Sequence, residues 1–307
     1  MSRVGYNINV QGMSQATIEK YLAKGTAHVL MGDPILAEHT TNNFKDKIII
    51  SRGDYPDDTA TVPSDLVQRW QARNTPHVWN YWPNEPHPSD INDFLQSLVQ
   101  LMSACAEAKV RVCIGNFAWQ DFDPRDMQEG VWDEFLQAAD DNREYVIVGG
   151  HEYTFGALPW GCAGENYRDM LLWPMPEGNW PSWETIQNAG PDNWHLFRWV
   201  PLYQRAQVLG IEMFDMVVTE CFWDNPADTS DVALHFALAE NVGYGLPVQQ
   251  NIFPKFWPQW DALTATQKQL QWAEDTYPDF VKGFCLFTVS NDAKWENFDI
   301  QRSVLRA

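Results

Sequence analysis

Two glutamates stand where strand-like segments end. Glu85 lies in Asn84-Glu85-Pro86, just after His77-Val-Trp-Asn-Tyr-Trp82, and Glu220 closes the run that ends Thr219-Glu220. Set across a shared pocket, two such carboxyls can break an acetal. One, protonated, delivers its proton to the leaving oxygen, and the other, ionised, meets the oxocarbenium-like carbon; a separation of roughly 5 to 5.5 Å lets the second act as a nucleophile. Like charges that close do not both ionise cheaply, so the acid is expected to titrate above the ordinary carboxylate range while its partner stays charged. Each glutamate alone has a plainer reading. Glu85 can be a helix-start carboxylate favoured by the helix dipole, in a tripeptide whose Asn and Pro suit helix starts, and Glu220 can be the partner of a buried cation.

Whether the two meet depends on the elements that carry them. Short apolar runs occur at Val4 to Val10, Ala27 to Met31, Ile48 to Ser51, His77 to Trp82, Val110 to Phe117, Tyr145 to Gly149, Met213 to Glu220 and Val281 to Phe287. Helical patterns lie between them. The clearest is Ile91, Phe94, Leu95, Leu98, Leu101, Met102 and Cys105, recurring at three- and four-residue steps behind a Ser89 or Asp90 cap. Continuous apolar runs alternating with helices imply parallel strands joined by right-handed crossovers, and eight such units predict a closed (β/α)8 TIM barrel of the α/β class. An open doubly wound sheet is the competing fold, but no GxGxxG follows the first run. No linker or low-complexity stretch divides the chain, so residues 1–307 read as one domain. His151 to Trp194 and Leu246 to Leu263 read as long, aromatic-rich βα loops, of the kind that form lids and binding walls.

In such barrels the working groups sit at the C-terminal strand ends. Collected there are Asn7 and Asn9, Arg52, Asn84 and Glu85, Asn116, then His151, Glu152 and Tyr153, and finally Glu220. With Asn84-Glu85-Pro86 after the fourth strand, His151-Glu152-Tyr153 after the sixth and Thr219-Glu220 ending the seventh, the chain resembles the clan A glycoside hydrolases, retaining (β/α)8 enzymes. The resemblance implies Glu85 as general acid/base, Glu220 as nucleophile, Asn84 as the group that binds the sugar 2-hydroxyl and Tyr153 as a hydrogen-bond donor to Glu220. His151 and Arg52 would support them, and Asn116 would line the substrate site. The chain also departs from the pattern: many members stack the reacting sugar on a Trp near the end of strand eight, where this sequence has Phe284-Cys-Leu-Phe287 and its nearest Trp is Trp295. Glu152 is a rival carboxylate.

Sixteen tryptophans suit the C–H-rich faces of sugar rings as well as a large core. The rim candidates are Trp82, Trp119, Trp160, Trp223, Trp257 and Trp295, with Trp119 and Trp223 first because they closely follow strands five and seven. A formal charge of −20 opposes nucleic acid and anionic membranes as partners. No apolar run approaches the roughly 20 residues of a membrane span. The N-terminus Met1-Ser-Arg-Val-Gly-Tyr enters a strand at once, so no signal peptide is visible in this sequence; a trimmed leader is the alternative, and secretion and cytoplasmic residence both stay open, as does oligomeric state. Five cysteines form no CxxC pair, the histidines form no HxH or HExxH, and no GxSxG occurs, so neither a metal, an organic cofactor nor a serine nucleophile is expected.

The expected function is thus a retaining glycoside hydrolase acting on a polysaccharide or oligosaccharide. From another class, a glycan-binding barrel that has lost turnover, as a module of a surface or phage structural assembly, also explains the aromatic richness. Only the hydrolase requires both glutamates to be poised.

Overall fold

The computed structural model describes residues 2–32, 42–53, 61–118, 122, 124–152, 182–188, 199–221 and 262–291. Its elements run β1 (Val4–Asn9), α1 (Gln15–Leu22), β2 (Ala27–Met31), β3 (Ile48–Arg52), α2 (Leu66–Arg73), β4 (Val78–Trp82), α3 (Ile91–Glu107), β5 (Val112–Ala118), α4 (Pro124–Gln128) and α5 (Asp133–Asp141). They continue as β6 (Val146–Glu152), α6 (Trp183–Gln187), α7 (Val200–Leu209), β7 (Met216–Cys221), α8 (Ala262–Thr276) and β8 (Val281–Val289). The strands pair in parallel in chain order, and β8 pairs back onto β1, closing the barrel. None of the helices among the described residues is long and apolar enough to cross a membrane.

Alternation along each strand splits the apolar residues into two layers. Val29, Ile50, Tyr81, Cys113, Ile147, Val217 and Cys285 form one buried cluster inside the barrel. Their strand neighbours, such as Ile8, Ile49, Val112, Val148 and Val218, join the larger cluster with the helices. Helix α3 shows how the sequence builds that outer layer. The Asp90 carboxylate accepts from the backbone N–H groups of Asn92 and Asp93 at 2.9 and 3.1 Å, satisfying two first-turn donors. The face that follows buries Phe94, Leu95, Leu98, Leu101, Met102 and Cys105, each of the large side chains contributing about 1.5–3 kcal/mol.

Several strands outrun their apolar segments. The runs expected to stop at Ser51, Phe117 and Gly149 reach Arg52, Ala118 and Glu152. Polar residues interrupt the apolar pattern, but backbone pairing is indifferent to side-chain polarity, so the ladder continues into a polar upper layer. His151 and Glu152 therefore belong to β6 rather than to the loop beyond it. Of the long segments read as lids, Trp183–Gln187 is the helix α6, and most of the rest lies outside the described residues.

The lower part of the barrel carries a titratable liability. His28 of β2 is wholly buried, and the Tyr6 amide donates to its Nδ1 at 3.3 Å. Burial, reinforced by the charge of Lys47 and only partly opposed by the Lys24 and Leu22 backbone, lowers it from 6.5 to about 4. A depressed histidine binds its proton more readily in the unfolded chain. Its native-state contribution is thus intact above pH 6.5 and is lost as pH falls toward 4, a loss of about 3 kcal/mol in total. Urea unfolding at pH 7.5 and at pH 5 is expected to show this decline, and His28→Gln is expected to flatten it; an unchanged pH slope in the variant would assign the decline to other groups.

Candidate active site

At the C-terminal rim four strands aim polar side chains at one point. Glu85 follows β4 in a left-handed backbone conformation, with φ of 40°, which costs a residue with a Cβ about 1–2 kcal/mol. Its N–H donates to the Asn116 carbonyl at 3.2 Å, tying this strained residue to β5. The helix-start reading of Glu85 does not hold, because α3 begins at Ile91 behind its own cap, Asp90.

Asn116 is wholly buried and also left-handed, with φ of 40°. Its Nδ2 donates to the Cys113 carbonyl at 3.2 Å, and its Oδ1 accepts from the Thr219 hydroxyl at 3.2 Å. The structure thus places it beneath the site, joining the backbones that carry Glu85 and Glu220. Gly149 makes room for it: a Cβ there would lie 2.0 Å from Asn116 Oδ1.

Glu220, near the end of β7, is ion-paired with Arg52, the last residue of β3, and its side chain is 7% exposed. The buried-cation reading of Glu220 is therefore realised, within the same cluster that holds Glu85. The Arg52 guanidinium lies 5.2 Å from the centroid of the Tyr81 ring. Between the two glutamates stands His151, wholly buried, with Nδ1 2.8 Å from Glu85 Oε1 and Nε2 3.7 Å from Glu220 Oε1. One donor atom from each of Glu85, His151 and Glu220 lies within 4.8 Å of the others, and the Glu85 side chain is 33% exposed.

Tyr81 sets the proton arithmetic. Its hydroxyl donates to Asn84 Oδ1 at 2.6 Å and lies 2.9 Å from His151 Nε2. A hydroxyl has one hydrogen, so with that hydrogen on Asn84 the phenol accepts from Nε2–H. Nδ1 then has two states: it carries a proton and donates to an ionised Glu85, or it is bare and accepts from a protonated Glu85. Either way the pair shares one proton.

Charge biases the choice. Burial alone would raise the Glu85 carboxyl, but the His151 hydrogen bond and charge, with Arg52 and His87, outweigh it and hold Glu85 below the ordinary carboxylate range. Burial alone would lower His151, yet Glu220 and Glu85 together outweigh it and raise the imidazole above 6.5. The expectation of a raised Glu85 is corrected accordingly. The physical reason is the imidazole: Arg52 beside Glu220 accords with an ionised Glu220, but the His151 hydrogen bond and charge, which two carboxylates and Arg52 alone do not supply, bring Glu85 down.

Tyr81 is the site residue that the sequence did not disclose. It sits inside a run read as apolar, and its only signal is the two-residue period that puts Trp79 and Tyr81 on the inward face. Asn84 is buried and engaged by that phenol. Glu152 points to the other face of β6, where Trp199 Nε1 and the Tyr277 hydroxyl donate to its two oxygens. Trp82, offered as a rim platform, packs in the outer core at 1% exposure instead, since the alternation that turns Tyr81 inward turns its neighbour outward. Asn7 and Asn9 line the inner face of β1, donating to the Thr219 carbonyl and to the Ser290 hydroxyl, each at 3.3 Å. Tyr153, Trp119, Trp160, Trp223, Trp257 and Trp295 lie outside the described residues.

Glu85, His151 and Glu220 are also a set able to hold a metal ion. A divalent cation would have to replace the shared proton and compete with Arg52 for Glu220.

No family model matches the chain, and no curated protein matches it. Among solved structures it is similar to XacCel5A, at 12% identity over 98% of this chain and 92% of that one, with a TM-score of 0.44.

Proposed function

We propose that the protein is a retaining glycoside hydrolase of the clan A type, acting on a polysaccharide or oligosaccharide. Glu220 is its nucleophile and Glu85 its acid/base. The observation that carries this reading is the convergence of Glu85 and Glu220 at the barrel rim, with oxygens within 4.8 Å of each other and His151 between them. An oxygen pair that close is compatible with the roughly 5 to 5.5 Å carboxyl separation that direct attack by one carboxylate uses.

In the first half-reaction the proton shared by Glu85 and His151 passes through Glu85 to the glycosidic oxygen as that bond breaks. Glu220 Oε attacks the anomeric carbon, and its charge, paired with Arg52, is consumed in the ester. The pair is then left with an ionised Glu85 facing a bare His151 Nδ1. Two acceptors 2.8 Å apart repel, so the pair recovers a hydrogen bond by taking a proton from water. As that proton leaves, the water oxygen bonds the anomeric carbon and the bond from that carbon to Glu220 Oε breaks, releasing the sugar and returning Glu220 to its ionised state beside Arg52. Asn84, held by the Tyr81 hydroxyl, is positioned for the 2-hydroxyl, as the clan A resemblance implies.

The stereochemical outcome tests the reading. NMR of wild-type digests of neutral oligosaccharides is expected to show, in the first minutes, product of the same anomeric configuration as the substrate. An inverted first product would refute the double displacement, and binding without turnover across a broad glycan panel would leave the glycan-binding module in its place.

A further inference from the structure

Glu152 has no place in that chemistry, yet it is buried at 1% exposure. Carrying a carboxylate into the interior is costly unless strong donors meet it. Here Oε1 accepts from the Trp199 indole N–H and Oε2 from the Tyr277 hydroxyl. Trp199 immediately precedes α7, stacks on Trp183 of α6 at 5.7 Å between centroids and meets Phe280 edge-on at 5.5 Å. Tyr277 follows α8 and stacks on Phe284 of β8 at 5.5 Å. Through one carboxylate, the end of β6 is tied to the start of α7 and to the end of α8.

That end of β6 is where the ladder is irregular. Pairing with β7 shifts register between Gly150 and His151, and beyond the shift His151 pairs with Glu220 and Glu152 with Cys221. A bulge re-aims side chains but gives up the regular hydrogen bonds that would fix them. The side chains on either side of the strand share one backbone, so a clamp on the outer face sets the angle of the inner one. We propose that Glu152 is a positioning residue: by anchoring the end of β6, where the facing strand β7 carries an extra residue at Thr219, to Trp199 and Tyr277, it holds the His151 imidazole between Glu85 and Glu220. Its catalytic consequence rests on the hydrolase reading above; the positional claim rests on the clamp itself.

Glu152→Gln preserves shape but offers one acceptor oxygen and turns an N–H toward a donor, so one of the two bonds is lost. The measurement is NMR of the intact protein with ¹⁵N-labelled histidine. His151, faced by Glu85, Glu220, Arg52 and Tyr81, is expected to change its ring nitrogen shifts and its titration midpoint. On a glycan that the wild type cleaves, kcat should fall about 10²-fold with KM retained, the mark of lost alignment rather than lost binding. Tyr277→Phe removes a single hydroxyl and should displace the same signals by less, which keeps the test available if Glu152→Gln does not fold. His151 signals and titration that superimpose on wild type in Tyr277→Phe and in any folded Glu152→Gln overturn the proposal. If the wild type cleaves nothing while His151 still moves in the variants, the positioning role stands and the hydrolase reading falls.

Discussion

Glu220→Ala is expected to lose on the order of 10⁵-fold in kcat, as removal of a covalent nucleophile does, and to regain cleavage when azide is supplied. The cavity left by the carboxylate lies beside Arg52, whose ion pair with Glu220 becomes vacant. A small anion entering there meets that guanidinium and sits where the Glu220 carboxylate was. Azide attacks once, from the nucleophile's side, and no second displacement follows, so the glycosyl azide should carry the inverted configuration. NMR of the product, with an activated aryl glycoside as donor, reads both the rescue and the stereochemistry. Wild-type-like turnover by the variant would remove Glu220 from the mechanism. A retained azide would point to a different nucleophile, with Glu220 then serving only as partner to Arg52.

The second large effect concerns the proton. Glu85→Gln keeps the shape of the side chain but carries no transferable proton, so substrates with poor leaving groups should lose about 10²–10⁴-fold. Aryl glycosides whose leaving groups need no protonation should retain much of their glycosylation rate. The pH profile adds an independent reading. In the wild type, Glu220 and Glu85 raise His151 above 6.5. A raised group keeps its proton as pH climbs through the ordinary value and gives it up only beyond, so the basic limb should lie above pH 6.5. It reports the pair rather than either residue alone. Glu85→Gln should erase that limb. Equal losses for activated and unactivated aglycones, with the limb intact, would show that the leaving group takes its proton from elsewhere.

The candidate site was legible in the sequence to the extent that its residues mark strand ends. Arg52, Glu85, His151 and Glu220 each interrupt or follow an apolar run, and a polar residue at the mouth of a buried strand has few purely structural excuses. Tyr81 escaped notice because an aromatic inside a strand is what a core also demands. Trp82 and Glu152 were misplaced as candidates for the converse reason. Rim position is visible in a sequence, but the face is set by the pleat, and both residues fall on outward steps of regularly alternating strands.

The charge state of the site shows the same division. Two glutamates at matching strand ends predict a coupled pair, and that coupling follows from their number and type. Its sign does not. Against the opposing effect of burial on each, Glu85 is held low and His151 high because the imidazole stands 2.8 and 3.7 Å from the two carboxylates and Arg52 pairs with Glu220, across four strands that are far apart in the chain. By itself the sequence determined the alternation of eight strands with helices, and hence the barrel, because apolar periodicity and backbone hydrogen bonding act locally along the chain. Only the tertiary structure decided which side chains share the one proton, because electrostatic energy depends on distance in space, and barrel closure with its register shifts sets that distance.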